Sequence, residues 1–470
     1  MPTLVAWAVS LAYLLTRLPW TPVHTPDSAG YLDFEPNRPP GYGWLLNLYA
    51  WLRGGEGEAA LGGLPFLQTI LIALALLAFA RQLDRLLGWR WAGTLAIAAV
   101  WTHVATYEAM RWVMSEALFL PLVLFGLACL MAHARRGGAA SLAGAAACFA
   151  LATLSRNIGL VLLPLPLLLV MLDPSRGWGG RLRRAFLAGM VAVLVIGVGM
   201  LDSAARRGSL GLGSNGGISL LGKGLLLVRE DPPRQDFVLA EAARRAEQAR
   251  AAVAAAPGLG AGIRAQAQAY ELLRWTTFFP DAEAAWPEWR EGDMAVRNRI
   301  ATRVARDAIA AAPGEYALLV ARDWLGLLLL PHLWPSPVSG GDSTHPFFAD
   351  CFLDRTACWA FSALPIPLAY SLVALAVSLG GLLASLLLLA VVLPRLWRRK
   401  GLPDPAERVM LVVVLGIHAT LLATAVAEAG LWRYTIQINP MNAALIAWAA
   451  LWALARLGHR RMPAAEATAP

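Results

Sequence analysis

Leu61-Gly-Gly-Leu-Pro-Phe-Leu-Gln-Thr-Ile-Leu-Ile-Ala-Leu-Ala-Leu-Leu-Ala-Phe-Ala80 runs for twenty residues without a charge, and Arg81 and Arg85 follow. About 20 apolar helical residues, rising 1.5 Å each, cross the ~30 Å hydrocarbon core of a bilayer. Comparable apolar runs recur along the chain. They predict ten spans, near residues 3–20, 61–80, 90–106, 114–132, 139–155, 157–172, 185–201, 365–393, 409–428 and 434–456. The bulk composition agrees: 470 residues, 58% of them hydrophobic, with a mean hydropathy of +0.54. An all-α, polytopic membrane protein is the expected fold class.

Charge placement supplies the sidedness. The basic short loops hold Arg81/Arg85/Arg90, Arg135/Arg136, Arg181/Arg183/Arg184 and Arg395/Arg398/Arg399/Lys400, and the tail adds Arg460/Arg461. Cytoplasmic loops carry the excess of arginine and lysine, so both termini are expected in the cytoplasm. The net charge of +9 is accounted for by those loops, and no nucleic-acid partner is expected. The first segment has no basic n-region and no Ala-x-Ala site, so it reads as a retained span.

Three parts follow along the chain. Residues 1–201 form a first membrane module, 202–364 a mostly helical outer segment, and 365–470 the last membrane helices with a tail. Within the outer segment, 236–256 and 293–312 carry helical spacing, and Pro257, Pro280 and Pro287 punctuate the interval. Residues 315–334 are apolar but contain Arg322 and Asp323, which predicts an amphipathic or partly inserted helix. The Gly211–Gly217 stretch reads as a flexible turn without a phosphate-loop lysine, and Lys223 reads as a surface residue. Cys129 and Cys148 fall in spans as small apolar residues. Cys351 and Cys358 lie in the outer segment, where a disulfide is expected if that side is oxidising. His332 and His345 lack a zinc-ligand spacing, and His24 and His103 read as packing or interface residues.

Four polar stretches interrupt the apolar pattern at span ends. The first is Thr25-Pro-Asp-Ser-Ala-Gly-Tyr31 with Arg38-Pro-Pro-Gly-Tyr42, directly after the first span. It places Asp27 at the mouth of the bundle, where a carboxylate can take a proton or stabilise a cation, with Arg38 near it for a phosphate. Asp27 also reads as a turn or cap residue after Pro26. The second is Ser115-Glu116, approached through Glu108 and Arg111. A carboxylate at a membrane boundary is costly unless it is paired, although a helix N-terminus also favours one there. The third is Ser155-Arg156-Asn157, the polar turn of a hairpin at the outer surface, where Arg156 also reads as a snorkelling side chain. The fourth is Glu428-Ala-Gly-Leu-Trp-Arg-Tyr434 with Asn439-Pro440, whose aromatic and basic residues also suit an interfacial belt.

The order of these stretches resembles the GT-C membrane glycosyltransferases. It is most similar to the bacterial branch related to protein O-mannosyltransferases and the aminoarabinose transferase of lipid A. The resemblance implies about ten transmembrane helices with a helical periplasmic insertion in a bacterial inner membrane, and an active site facing the periplasm. It implies a polyprenyl-phosphate sugar donor and a lipid, polysaccharide or protein acceptor. On that pattern Asp27 and Glu116 are the catalytic carboxylates. Tyr31, Arg38, Tyr42, Glu108, Arg111, Arg156, Arg433 and Tyr434 are the substrate-binding residues. Relatives often carry two adjacent acids, whereas Pro26 and Ser28 flank Asp27 here. No cofactor is expected, and a divalent metal stays open because Asp33 and Glu35 are near in sequence. The rival reading is a lipid-linked-sugar flippase or secondary transporter, which needs spans and buried charges but no chemistry. A transporter places its essential charges near mid-membrane, whereas these candidates gather at span ends.

Overall fold

The structure is a computed structural model. It describes residues 1–17, 20–24, 27–55, 58–208, 210–213, 215–229, 236–329, 367–398, 402, 404–428 and 435–460. Among these residues the chain is helical, and the only β pairing is an isolated bridge between Val23 and Trp112. Among the described residues six helices are long and apolar enough to cross a membrane: Leu64–Leu87, Glu116–Arg136, Trp178–Arg206, Leu375–Trp397, Pro405–Ala427 and Ile438–Leu457.

In chain order the first module is α1 (Pro2–Arg17), α2 (Ser28–Leu32), α3 (Pro40–Leu52), α4 (Leu64–Leu87), α5 (Ala92–Trp101), α6 (Val104–Arg111), α7 (Glu116–Arg136), α8 (Ala139–Ser155), α9 (Leu165–Met171) and α10 (Trp178–Arg207). The apolar run quoted above becomes α4, with Pro65 in its first turn and Gly88 ending it in the left-handed region. Four of the ten expected runs form shorter helices, Pro2–Thr16, Ala92–Trp101, Ala139–Ser155 and Asn157–Met171. The run near 90–106 is interrupted after α5, at Thr102. His103 behind it is fully buried and bonds Thr435 Oγ1 at 2.9 Å, so it packs as expected. The run near 157–172 opens with a 3-10 turn over Asn157–Leu162 and is cut by Pro164 and Pro166.

Packing orders the bundle: α7 lies against α4 and α8, and α8 against α10. Helix α10 leaves Phe186 and Val193 70% exposed, which is what a helix facing lipid shows. Cys129 and Cys148 are both free thiols. The arginine-bearing loops collect at one end. Arg135 reaches Gln82 Oε1 at 3.3 Å, Arg184 reaches the Gly137 carbonyl, and Thr3 ties the N-terminus to Asp84 at 2.6 Å.

The outer segment folds as α11 (Gly216–Leu227), α12 (Phe237–Ala255), α13 (Gly258–Leu272), α14 (Phe279–Ala285), α15 (Pro287–Glu291), α16 (Met294–Ala311) and α17 (Pro313–Leu329). It has its own core, in which Tyr270, Phe278 and Trp289 are almost fully buried. The expected helices at 236–256 and 293–312 are α12 and α16, started by Asp236 and Asp293 accepting from backbone N–H groups. Helix α17 covers most of the ambiguous stretch and packs on α13 and on α19 (Pro405–Ala427). Its Tyr316 Oη donates to the Val426 carbonyl at 2.8 Å. Lys223 corrects the surface expectation, since it is 1% exposed and forms a buried ion pair with Asp323. Helices α18 (Pro367–Trp397), α19 and α20 (Ile438–Arg460) complete the membrane bundle. Cys351, Cys358, His332 and His345 lie outside the described residues, and the disulfide expectation with them.

Candidate functional site

The loop after α1 is docked by its backbone onto the approach to α7. Val23 N–H donates to the Arg111 carbonyl at 2.9 Å, and Val113 N–H donates to the Val23 carbonyl at 3.0 Å. Ser28 Oγ donates to the Val113 carbonyl at 3.0 Å, and Tyr31 Oη shares a hydrogen bond with Ser115 Oγ at 3.0 Å. Two of the polar stretches are thereby held side by side.

Arg38 folds back over this junction. Its guanidinium stands 5.1 Å from the centre of the Tyr31 ring and 2.5 Å from Asp27 Oδ1. Burial raises the Tyr31 phenol above its ordinary pKa, with Arg38 partly offsetting it. Burial opposes the Arg38 charge, but Tyr31, Asp27 and Glu35 outweigh it and hold the guanidinium above its ordinary value. Tyr42 lies edge-on to Tyr31 at 5.2 Å and donates to Gln68 Oε1 at 2.7 Å. Gln68 in turn donates to the carbonyls of Ala109, Met110 and Trp112. Tyr42 is therefore a fully buried prop beneath Tyr31.

The other wall comes from the α8 turn. Helix α8 stops at Ser155 because Arg156 is extended, and Arg156 forms an ion pair with Glu116, the first residue of α7. Asn157 Nδ2 donates to the Gly213 carbonyl at 2.9 Å. Gly213 has a φ of +74°, and any Cβ there would stand 2.7 Å from the Arg38 carbonyl. The glycine-rich stretch is thus a docked clasp between the loop and the α8 turn, where a flexible turn was expected. Helix α3 closes on α8 through Gly41, where a Cβ would meet the Leu154 carbonyl at 2.7 Å. Gly41→Ala is expected to push α3 off α8 at a cost of roughly 1–3 kcal/mol. A lowered melting temperature of the purified protein in detergent is the check.

Between these walls is a cavity of about 230 Å³ lined by Tyr31, Arg38, Glu116, Arg156, Ser219 and Glu428, among others. Asp27 backs its rim through Arg38. Asn37 is 6% exposed at the cavity wall, and its buried Oδ1 holds no hydrogen bond among the described residues. Glu428 follows α19 and accepts from Ser219 Oγ and, at 3.0 Å, from Tyr270 Oη of the outer segment. Tyr270 Oη also accepts from Arg274 Nη1 at 3.0 Å and lies 2.6 Å from the Ser219 carbonyl, so its one proton is shared between that carbonyl and Glu428. The arrangement offers two guanidiniums, two carboxylates on the lining and a third behind it, a combination suited to holding an anion and moving a proton. Among the described residues no three His, Cys, Asp or Glu side chains gather as a metal site requires.

Of the residues singled out in the sequence, Asp27, Tyr31, Arg38, Glu116 and Arg156 come together here. Arg111 is half-buried and joins through its carbonyl, away from the cavity lining. The Glu108 side chain, Arg433 and Tyr434 lie outside the described part of the structure. Glu428 and Asn37 are not among the residues singled out in the sequence, although Glu428 opens the motif that holds Arg433 and Tyr434. Comparisons of this chain with protein-family models, with curated proteins and with solved structures find no match.

Proposed function

We propose that this protein is a GT-C-type membrane glycosyltransferase that moves a sugar from a polyprenyl-phosphate donor to a lipid, polysaccharide or protein acceptor. The observation that carries the reading is the cavity itself. Stretches that the sequence scatters between residues 27 and 156 converge there as two arginine–carboxylate pairs, Arg38–Asp27 and Arg156–Glu116. In this reading the donor phosphate exchanges with the carboxylates for the two guanidiniums. Asp27, released from Arg38, then takes the proton of the acceptor hydroxyl. The acceptor oxygen bonds to the anomeric carbon as the bond from that carbon to the phosphate oxygen breaks, and the phosphate keeps the electron pair. Direct attack of this kind inverts the anomeric centre. Arg38 and Arg156 meet the charge that grows on the departing phosphate. The unpartnered Asn37 Oδ1 is an acceptor for a sugar hydroxyl.

Placement of the cavity supports a periplasmic site in a bacterial inner membrane. Helix α7 runs from Glu116 at the cavity to Arg135 and Arg136 among the basic loops. Its 21 residues span about 32 Å, close to the thickness of a hydrocarbon core. With the arginine-rich end in the cytoplasm, the cavity opens on the other side. Glycolipid and glycan mass analysis of a deletion strain tests the activity: a missing sugar modification supports it, and an unchanged envelope glycome refutes it. For topology, single cysteines are placed at Arg398 and Arg290 in a chain stripped of its four native cysteines. An impermeant thiol reagent added to intact cells is expected to label Arg290→Cys and spare Arg398→Cys. The opposite pattern would invert the protein in the membrane.

A further inference from the structure

At the far end of the bundle, about 30 Å from the catalytic cavity by the length of α7, is a second pocket of about 230 Å³. Four guanidiniums line it, those of Arg135, Arg136, Arg176 and Arg408, against the single carboxylate of Asp173. That carboxylate is already saturated. It accepts from Ser175 N–H at 3.1 Å, Ser175 Oγ at 2.7 Å, Arg176 Nε at 3.1 Å and Arg408 Nη1. Arg135 and Arg136 form no ion pair among the described residues, and Arg135 contacts only the neutral Gln82 amide by hydrogen bond. Arg408 is 7% exposed, and its buried Nε has no hydrogen-bond partner among the described residues.

The pocket is held by elements that leave it little freedom. Arg184 on α10 reaches across to the Gly137 carbonyl, and Arg181 donates to the carbonyls of Met171 and Arg176 at 3.1 and 2.9 Å. Arg176 lies so close over Gly137 that a Cβ there would stand 2.5 Å from its Nη2. Like charges pressed together in this way repel, and an anion with several acceptor oxygens relieves the repulsion while accepting their hydrogen bonds. Surplus positive charge in a cleft between helix ends at headgroup depth suits a lipid phosphate. Lipid also borders the site, because α10 beside it is uncovered along Leu182, Phe186, Met190 and Val193.

We propose that this pocket is a phosphate-binding site that takes the phosphodiester of an anionic glycerophospholipid. It is separate from the catalytic cavity, and its test does not use turnover. Purified full-length protein in neutral detergent is titrated with phosphatidylglycerol, with phosphatidylcholine and with inorganic phosphate, followed by native mass spectrometry and by thermal unfolding. Phosphatidylglycerol is expected to remain bound and to raise the melting temperature, with phosphatidylcholine far weaker. Arg135→Gln/Arg136→Gln removes two exposed, unpaired charges, so it folds, and is expected to bind phosphatidylglycerol about tenfold or more weakly. Arg244→Gln/Arg245→Gln, on the distant outer segment, is expected to leave binding unchanged. Inorganic phosphate that stabilises as strongly, with the same loss in Arg135→Gln/Arg136→Gln, keeps the site and makes its ligand a soluble phosphate. Equal binding of phosphatidylglycerol and phosphatidylcholine, or equal phosphatidylglycerol binding by the wild type and Arg135→Gln/Arg136→Gln, overturns the proposal.

Discussion

Asp27→Asn is expected to lower sugar transfer by ~10²-fold or more while the protein still inserts and retains its donor. Asparagine keeps the size of the side chain and an oxygen for Arg38, and removes the negative charge and the basicity. A helix-capping role would complicate the comparison by weakening the fold. Asp27 does stand at the N-cap of α2, but its side chain caps nothing there. It contacts Arg38, at 2.5 Å, with about a third of its side chain exposed. Loss of turnover at equal membrane abundance and an equal melting temperature therefore reports on chemistry. Near-normal transfer by Asp27→Asn would remove it as the base. Glu116 would then be the carboxylate to test, since it also faces an arginine in the same cavity.

The fold class was legible because the bilayer imposes a one-dimensional rule: long apolar runs closed by arginines. What that rule cannot see is a helix broken by a partner far away in sequence. The run near 90–106 looks continuous, yet His103 is drawn to Thr435, 332 residues later. Half of the candidate site was legible for a related reason. Asp27, Arg38, Glu116 and Arg156 are polar residues at span ends, where their cost demands a purpose. Their pairing was not legible, because Arg156 meets Glu116 only when α8 returns along α7. Glu428 was passed over because its place depends on Tyr270, a residue of the outer segment 158 positions away. Nothing local in either stretch announces that contact.

Lys223 carries the second large expectation. Lysine is usually exposed, and on a short glycine-flanked helix it reads as a solvated charge. Here Lys223 on α11 and Asp323 on α17 are both nearly inaccessible and meet each other, 100 residues apart in sequence. Removing one partner leaves the other charge buried and uncompensated, so Lys223→Met or Asp323→Leu alone is expected to cost ~3–5 kcal/mol. Removing both leaves neither charge facing an absent partner. Lys223→Met/Asp323→Leu is therefore expected to recover most of that stability and to match or exceed the wild type. Thermal unfolding of the four proteins in one detergent completes the cycle, and single variants as stable as the wild type would refute the pairing. The consequence reaches the candidate-site cavity. Ser219, one helical turn before Lys223 on α11, donates to Glu428, and α17 packs on α19, the helix that Glu428 follows. A loosened α11 should therefore misplace Glu428, and the single variants should lose transfer activity that the double variant regains.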